Sequence, residues 1–273
     1  MFNDVFTRLL HRPADSHKYQ YGHVLIVGGS PGMVGAPLLA GTAALRTGAG
    51  LVTLAAPAEV TDKLERRVKE LMTLRLPANL AEFVTRRKVS VAVIGPGIKP
   101  GKATTELVKG LSSTGIPIIV DGGALQPDTL GTLKESATLT PHVGEFQRLV
   151  SEKLPSQRSE LKAIAQRFAK QHKVTVVLKG EPTYVVHPDG SLYENTTGNP
   201  GLATAGTGDV LSGVIAGMIA QHVTPDTAAE AGVYLHGLAG DIAAKTRTQP
   251  GMIAGDVIEA IPAAYAAAAS SKA

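Results

Sequence analysis

Residues 195–209 carry the densest set of groups able to do chemistry in this 273-residue chain. They run Asn195-Thr196-Thr197-Gly198-Asn199-Pro200-Gly201-Leu202-Ala203-Thr204-Ala205-Gly206-Thr207-Gly208-Asp209, and Val210, Leu211, Val214, Ile215, Met218 and Ile219 follow at helical spacing. A polar, glycine-rich loop therefore feeds a helix N-terminus. The unpaired N–H groups of a first helical turn attract anions, and Gly206 and Gly208 have no Cβ to hold a phosphate away from the backbone. Asp209 places a carboxylate beside that anion hole, where the hydroxyl of a phosphate acceptor would lie. An isolated Asp here would read as a first-turn acid complementing the helix dipole; the glycines around it favour the catalytic reading.

For such residues to act together, a scaffold must bring distant strand ends to one place. Short apolar runs recur at 23–27, 51–54, 89–94, 116–120 and 174–178, most of them separated by segments of helical character such as 37–48, 57–72 and 157–172. That alternation predicts a mostly parallel sheet covered by helices on both faces, a three-layer α/β/α fold. Residues 183–186 and 191–194, split by Pro188-Asp189-Gly190, predict a hairpin. Ligands bind at the carboxyl ends of strands in such sheets. The polar and glycine-rich junctions fall there: Gly28-Gly29-Ser30, Gly95-Pro96-Gly97, Asp121-Gly122-Gly123, residues 140–146, and Lys179-Gly180. Five junctions on one rim describe a cleft. Residues 1–20 read as an N-terminal arm, 21–273 as a single domain, and the Ala-rich stretch 263–269 as a frayed helix end.

Three tempting motifs fail. Gly28-Gly29-Ser30-Pro31-Gly32 matches a nucleophile elbow, yet the residue after the serine must donate an oxyanion-hole N–H, and Pro31 has none. Around Gly95-Pro96-Gly97, Pro100 replaces the third dinucleotide-binding glycine, and Pro96 and Ala103 break a phosphate-binding loop. Cysteine is absent, which removes disulfides and thiolate chemistry and fits a reducing cytoplasm, the compartment expected here. No apolar run reaches membrane-spanning length. The formal charge of +4 comes with only 4% aromatic residues and no Trp, so a nucleic-acid partner is not expected and a small anionic ligand is.

Together these residues resemble the ribokinase-like family, and within it the bacterial ADP-dependent (S)-NAD(P)H-hydrate dehydratases. The resemblance runs from about Arg12 through Gly22 to Ser30, Gly35-Ala36, Ala43 to Val52, Gly95-Pro96-Gly97, Thr140 to Phe146, Lys179-Gly180 and Asn195 to Gly213, ending at Tyr234-Leu235-His236-Gly237. It implies a repair reaction: ADP phosphorylates the hydroxyl of hydrated NADH or NADPH, phosphate is eliminated, and AMP remains. It further implies Mg2+ bridging phosphates, a homo-oligomer (a tetramer) and an epimerase on a separate protein. The closest alternative is an ATP-dependent kinase of a small alcohol such as hydroxyethylthiazole or hydroxymethylpyrimidine.

By the same resemblance Asp209 is the base, and Gly206, Thr207 and Gly208 hold the transferred phosphoryl group. Ala36, Gly97, His142 and Asp209 contact the hydrated dinucleotide; Lys179, Gly180, Glu181, Pro182, Thr183 and Gly208 hold ADP. Lys179 and His142 are expected on opposite sides of the cleft. On residue type alone, Ala36 is equally helix packing, Gly97 a turn, His142 a solvated loop residue and 179–183 a surface turn. Asp121 is taken as a support or magnesium-side residue, Glu145 as a possible helix N-terminal acid, and no metal ligand is assigned. The helix dipole is expected to keep Asp209 ionised.

Overall fold

In the computed structural model, which describes residues 2–76 and 79–270, the apolar runs form strands β1 (His23–Val27), β2 (Leu51–Pro57), β3 (Met72–Leu76), β4 (Val91–Ile94), β5 (Ile118–Val120), β6 (Ala137–Leu139), β7 (Thr175–Leu178), β8 (Tyr184–Val186) and β9 (Leu192–Glu194). They hydrogen-bond in the order β3-β2-β1-β4-β5-β6-β7-β8-β9, parallel from β3 to β7 and antiparallel at β7–β8 and β8–β9. Around the sheet lie α1 (Asn3–Leu10), α2 (Gly35–Arg46), α3 (Ala58–Glu65), α4 (Leu80–Arg87), α5 (Lys102–Ser113), α6 (Pro127–Leu130), α7 (Val143–Leu149), α8 (Arg158–His172), α9 (Thr207–Ala220), α10 (Pro225–Arg247) and α11 (Ala254–Ser270). β1, β2 and β3 wind outward one way and β4 returns to the other flank of β1. The strand ends of β1 and β4 thus form a topological switch point, where a crevice opens.

Alternation along the strands feeds two cores. Val24, Ile26, Val52, Leu54, Val91 and Val93 face α2, α9, α10 and α11, whereas Leu25, Val27, Ala92, Ile94 and Val120 face α4, α5, α7 and α8. Helix α9 is apolar on all sides and buried throughout from Val210 to Ala220. Gly213 lets α2 come close, since a Cβ there would collide with the Ala40 carbonyl. Among the described residues no helix is long and apolar enough to cross a membrane.

Three elements depart from the sequence reading. The helix expected over 57–72 stops at Glu65, and Met72–Leu76 pairs with β2 as a half-buried edge strand. Within the expected arm, α1 packs on α11, with Phe2 and Phe6 buried against Tyr193, Tyr234 and Tyr265. The stretch expected to fray is helical to Ser270, because Ala264, Tyr265 and Ala268 are buried there.

Candidate active site

The glycine-rich turn is held by the helix that follows α9. Gly198 N donates to Asp241 Oδ2 at 2.9 Å, Asn199 Nδ2 to Asp241 Oδ1 at 3.0 Å, and Thr197 Oγ1 to the Tyr234 carbonyl at 2.8 Å. Asp241, on α10, was not singled out from the sequence. Gly206 caps α9 with φ 93°, a left-handed conformation that glycine adopts freely. The first carbonyl-directed bond of the helix runs from Val210 N to Gly206 O, so the N–H groups of Gly208 and Asp209 have no partner within it. The Thr207 hydroxyl is consumed by the Leu202 and Thr204 carbonyls, at 2.7 and 2.9 Å; toward a ligand this residue offers backbone only.

Opposite this turn stands Lys179, at the end of β7. Its Nζ lies 3.2 Å from Asp121 Oδ1 and 3.8 Å from Glu145 Oε2. A Cβ on Gly208 would stand 3.1 Å from the same nitrogen, so the ammonium borders the anion turn. Asp121 is buried and accepts a second bond from Ser212 Oγ at 2.8 Å, which ties β5 to the first turns of α9. Burial disfavours the charged Lys179, yet Asp121, Glu145 and Asp209 together hold its pKa above the ordinary lysine value. Asp209 is pushed up to about 7: burial contributes most, the charges of Asp121 and Glu145 add to it, and Lys179 opposes. This corrects the expectation of a fully ionised Asp209, because desolvation and two neighbouring carboxylates outweigh the helix end.

The structure brings most of the expected residues to one cavity of about 920 Å3, bordered by His142, Lys179, Gly180, Glu181, Thr183, Thr207 and Gly208. Pro182 lies in the same turn, where the Thr183 hydroxyl donates to the Gly180 carbonyl at 3.1 Å. Ala36 and Gly97 stand elsewhere, at the β1–β4 switch point, where a Cβ on Gly97 would be 3.1 Å from Ala36 Cβ. Gly206 links the two regions, its α-carbon facing Leu39 of α2. His142 and Lys179 are not on opposite walls: their backbones form a parallel bridge, and Lys179 N donates to the Pro141 carbonyl at 2.8 Å. Two parallel strand ends adjacent in the sheet cannot face each other across a cleft. His142 instead caps α7, its Nδ1 accepting from Glu145 N at 3.1 Å while Glu145 Oε2 accepts from His142 N at 2.9 Å. Glu145 is thus both a first-turn acid and a neighbour of Lys179.

The doubly covered, mostly parallel sheet and the glycine turn at a buried helix N-terminus are those of the ribokinase-like fold. Within it the chain belongs to the NAD(P)H-hydrate dehydratase family, whose sequence model matches residues 24–263. It is 43% identical over 274 residues to the bifunctional NAD(P)H-hydrate repair enzyme Nnr of Moorella thermoacetica, covering 94% of this chain and 51% of the relative. It is 37% identical to the ADP-dependent (S)-NAD(P)H-hydrate dehydratase of Xanthomonas campestris pv. campestris, covering 90% of this chain and 88% of that protein. The ADP/ATP-dependent NAD(P)H-hydrate dehydratase of Bacillus subtilis, co-crystallised with ATP/Mg2+, superposes with a TM-score of 0.89 at 31% identity, covering 98% of this chain and 97% of that one. The chain spans about half the length of the bifunctional relatives that it matches.

Proposed function

We propose that this protein catalyses the ADP-dependent dehydration of the S form of hydrated NADH or NADPH, giving NAD(P)H, AMP and phosphate. The observation that carries the reading is Asp209, at the first turn of α9 with a carboxyl group poised near pH 7, beside unpaired backbone N–H groups and the Lys179 ammonium. The nucleotide lies in the large cavity with its phosphates against Lys179 and the first turn of α9, and the hydrated ring lies toward Ala36 and Gly97. Asp209 takes the proton of the substrate hydroxyl as its oxygen bonds to the β-phosphorus and AMP leaves. Phosphate then departs with the C–O bonding electrons as the ring loses a proton, and the double bond re-forms. Backbone N–H groups and Lys179 stabilise charge on the transferring group, the principal task of a protein in phosphoryl transfer.

Among the described residues no three acid or His side chains are arranged to hold a metal by themselves. That suits Mg2+, which keeps its waters and binds through substrate phosphates with one or two carboxylates, here Asp121 or Glu145. When bound, such an ion would neutralise phosphate charge. Homo-oligomerisation, a cytoplasmic location and an epimerase that supplies the S form belong to the same proposal. The test is absorbance recovery of the reduced nicotinamide from hydrated NADH with ADP or ATP and Mg2+. Nucleotide consumption only with a thiazole or pyrimidine alcohol would overturn the reading.

A further inference from the structure

The loop that leads into the catalytic turn lies in a seat on α10. Gly237 and Gly240 leave the space for it: a Cβ on Gly237 would collide with Thr197, and one on Gly240 would stand 2.8 Å from Leu202 Cδ2. Tyr234 and Asp241, a helical turn to either side of Gly237 on the same face of α10, hold the loop there. The Tyr234 carbonyl accepts from the Thr197 hydroxyl, and the two oxygens of the half-buried Asp241 accept from Gly198 N and Asn199 Nδ2. From this point a chain of bonds runs forward to α9. Asn199 Oδ1 accepts from Gly201 N at 2.9 Å, the Gly201 carbonyl accepts from the Thr204 hydroxyl at 3.0 Å, and the Thr207 hydroxyl bonds the Leu202 and Thr204 carbonyls. Gly198, Asn199 and Thr204 border the cavity, whereas Asp241 stands behind them.

The direction of each bond is fixed by what its groups can do. A backbone N–H only donates, so Gly201 N requires the oxygen of the Asn199 amide and leaves the amide nitrogen for Asp241. Gly198 N and Asn199 Nδ2 both donate, so residue 241 must accept twice, which a carboxylate does and an amide does not. Resting on the reading of this cavity as the nucleotide's, we infer that Asp241 is a positioning residue for phosphoryl transfer. By accepting two hydrogen bonds from Gly198 and Asn199, it sets the loop that places the free N–H groups of α9 and the Asp209 carboxylate against the nucleotide's phosphates. It touches no reacting atom. Without this latch the nucleotide itself has to order the loop, and affinity falls by that ordering cost.

The experiment is calorimetric titration with ADP of the unmodified protein, Asp241→Asn, Asn199→Asp and the two substitutions combined, each well below its melting temperature. Asp241→Asn sets one amide nitrogen against another, and Asn199→Asp sets two carboxylates face to face. Each should weaken ADP binding about ten-fold or more, the size of one hydrogen bond turned into a mismatch. The combined variant exchanges the partners: the amide at 241 accepts from Gly198 N and donates to the carboxylate at 199, which still accepts from Gly201 N. Every bond returns and the net charge is unchanged, so ADP affinity should come back to within about three-fold of the parent, strong non-additivity of two touching residues. A clamp serving stability alone would lower the melting temperature of the single variants and leave the ADP affinity of the folded protein as it was, which overturns the inference. Single variants that do not fold overturn it in the same way, by making Asp241 a clamp of the fold. A combined variant that binds as weakly as the single ones, or does not fold, overturns it as well, since the bonds are then present without their effect. Absence of ADP binding by the unmodified protein removes the nucleotide reading itself, whereas equal binding by all four proteins removes this inference alone.

Discussion

Asp209→Asn should make the protein more stable and nearly inactive, and the two effects share one cause. The carboxyl moves from 3.8 to about 7 on folding, so the unfolded chain carries its charge more readily than the folded one does. A displacement of that size corresponds to about 4 kcal/mol against the charged form. Asp209 retains some contact with solvent, which reduces the figure to about 2 kcal/mol. For an acid raised on folding, the favourable contribution is complete below about pH 4 and is lost as pH rises through 7. Asn has the same shape and no charge. The variant should match the parent at pH 4 and exceed it at pH 8 by about 1–2 kcal/mol, a rise of roughly 2–6 °C in melting temperature. Loss of a positioned base should lower turnover on the order of 10²–10⁴ while ADP still binds. In the parent, kcat/KM should climb to a plateau above about pH 7. Thermal unfolding at the two pH values, ADP calorimetry and turnover complete the set; near-native turnover, or a melting temperature that responds identically to pH in both proteins, refutes the reasoning.

Gly208→Val should leave the fold intact, because the one atom near its Cβ is the Lys179 ammonium at 3.1 Å, while ADP affinity falls at least about ten-fold by obstruction of the phosphate turn; unchanged affinity by calorimetry excludes Gly208 from the site. Lys179→Ala leaves Asp121 buried without its cation, which should cost about 2–4 kcal/mol in a denaturant melt and move the acid limb of kcat/KM to higher pH. His142→Ala frees Glu145 from its cap and, since His142 and Lys179 are backbone neighbours, should raise KM for both substrates; an effect on one curve alone argues against this geometry. His187, held by Asp226 and Glu230 at about 9, contributes stability that is complete below pH 6.5 and lost as pH rises through 9. His187→Gln should therefore cost about 2 kcal/mol at pH 6 and flatten the melting temperature between pH 7 and 10.

The sheet was legible because fully buried parallel strands are short apolar runs rich in β-branched residues, such as Val24-Leu25-Ile26-Val27. The edge strand Met72–Leu76 was not, since a half-buried alternating segment after a charged helix shares its residue types with another helical turn. The same limit hid α1: Phe2 and Phe6 look like isolated aromatics until the tyrosines of β9, α10 and α11 surround them. At the site, the turn before Asp209 could be read directly, because glycine spacing is a local signal. Asp241 could not, because its role arises only when α10 packs on a loop some forty residues earlier. The protonation of Asp209 was misjudged for a similar reason, as Asp121 and Glu145 reach it only through the fold.

One face of the sheet is covered by α2 and by the last three helices, α9 to α11. During synthesis, therefore, Val24, Ile26, Val52, Leu54, Val91 and Val93 emerge with α2 but long before α9, α10 and α11. The opposite face can close as the chain is made, since α4, α5, α7 and α8 each lie close in sequence to the strands they cover. The nascent chain thus passes through a half-covered stage whose apolar surface is partly exposed until α9 to α11 emerge, a circumstance that favours aggregation. Completion waits on contacts spanning most of the sequence, such as α1 with α11 and α2 with α9, the kind of topology that folds slowly. The catalytic turn arrives with α9 and is held by α10, both late in the chain, so an unfinished chain presents no assembled site.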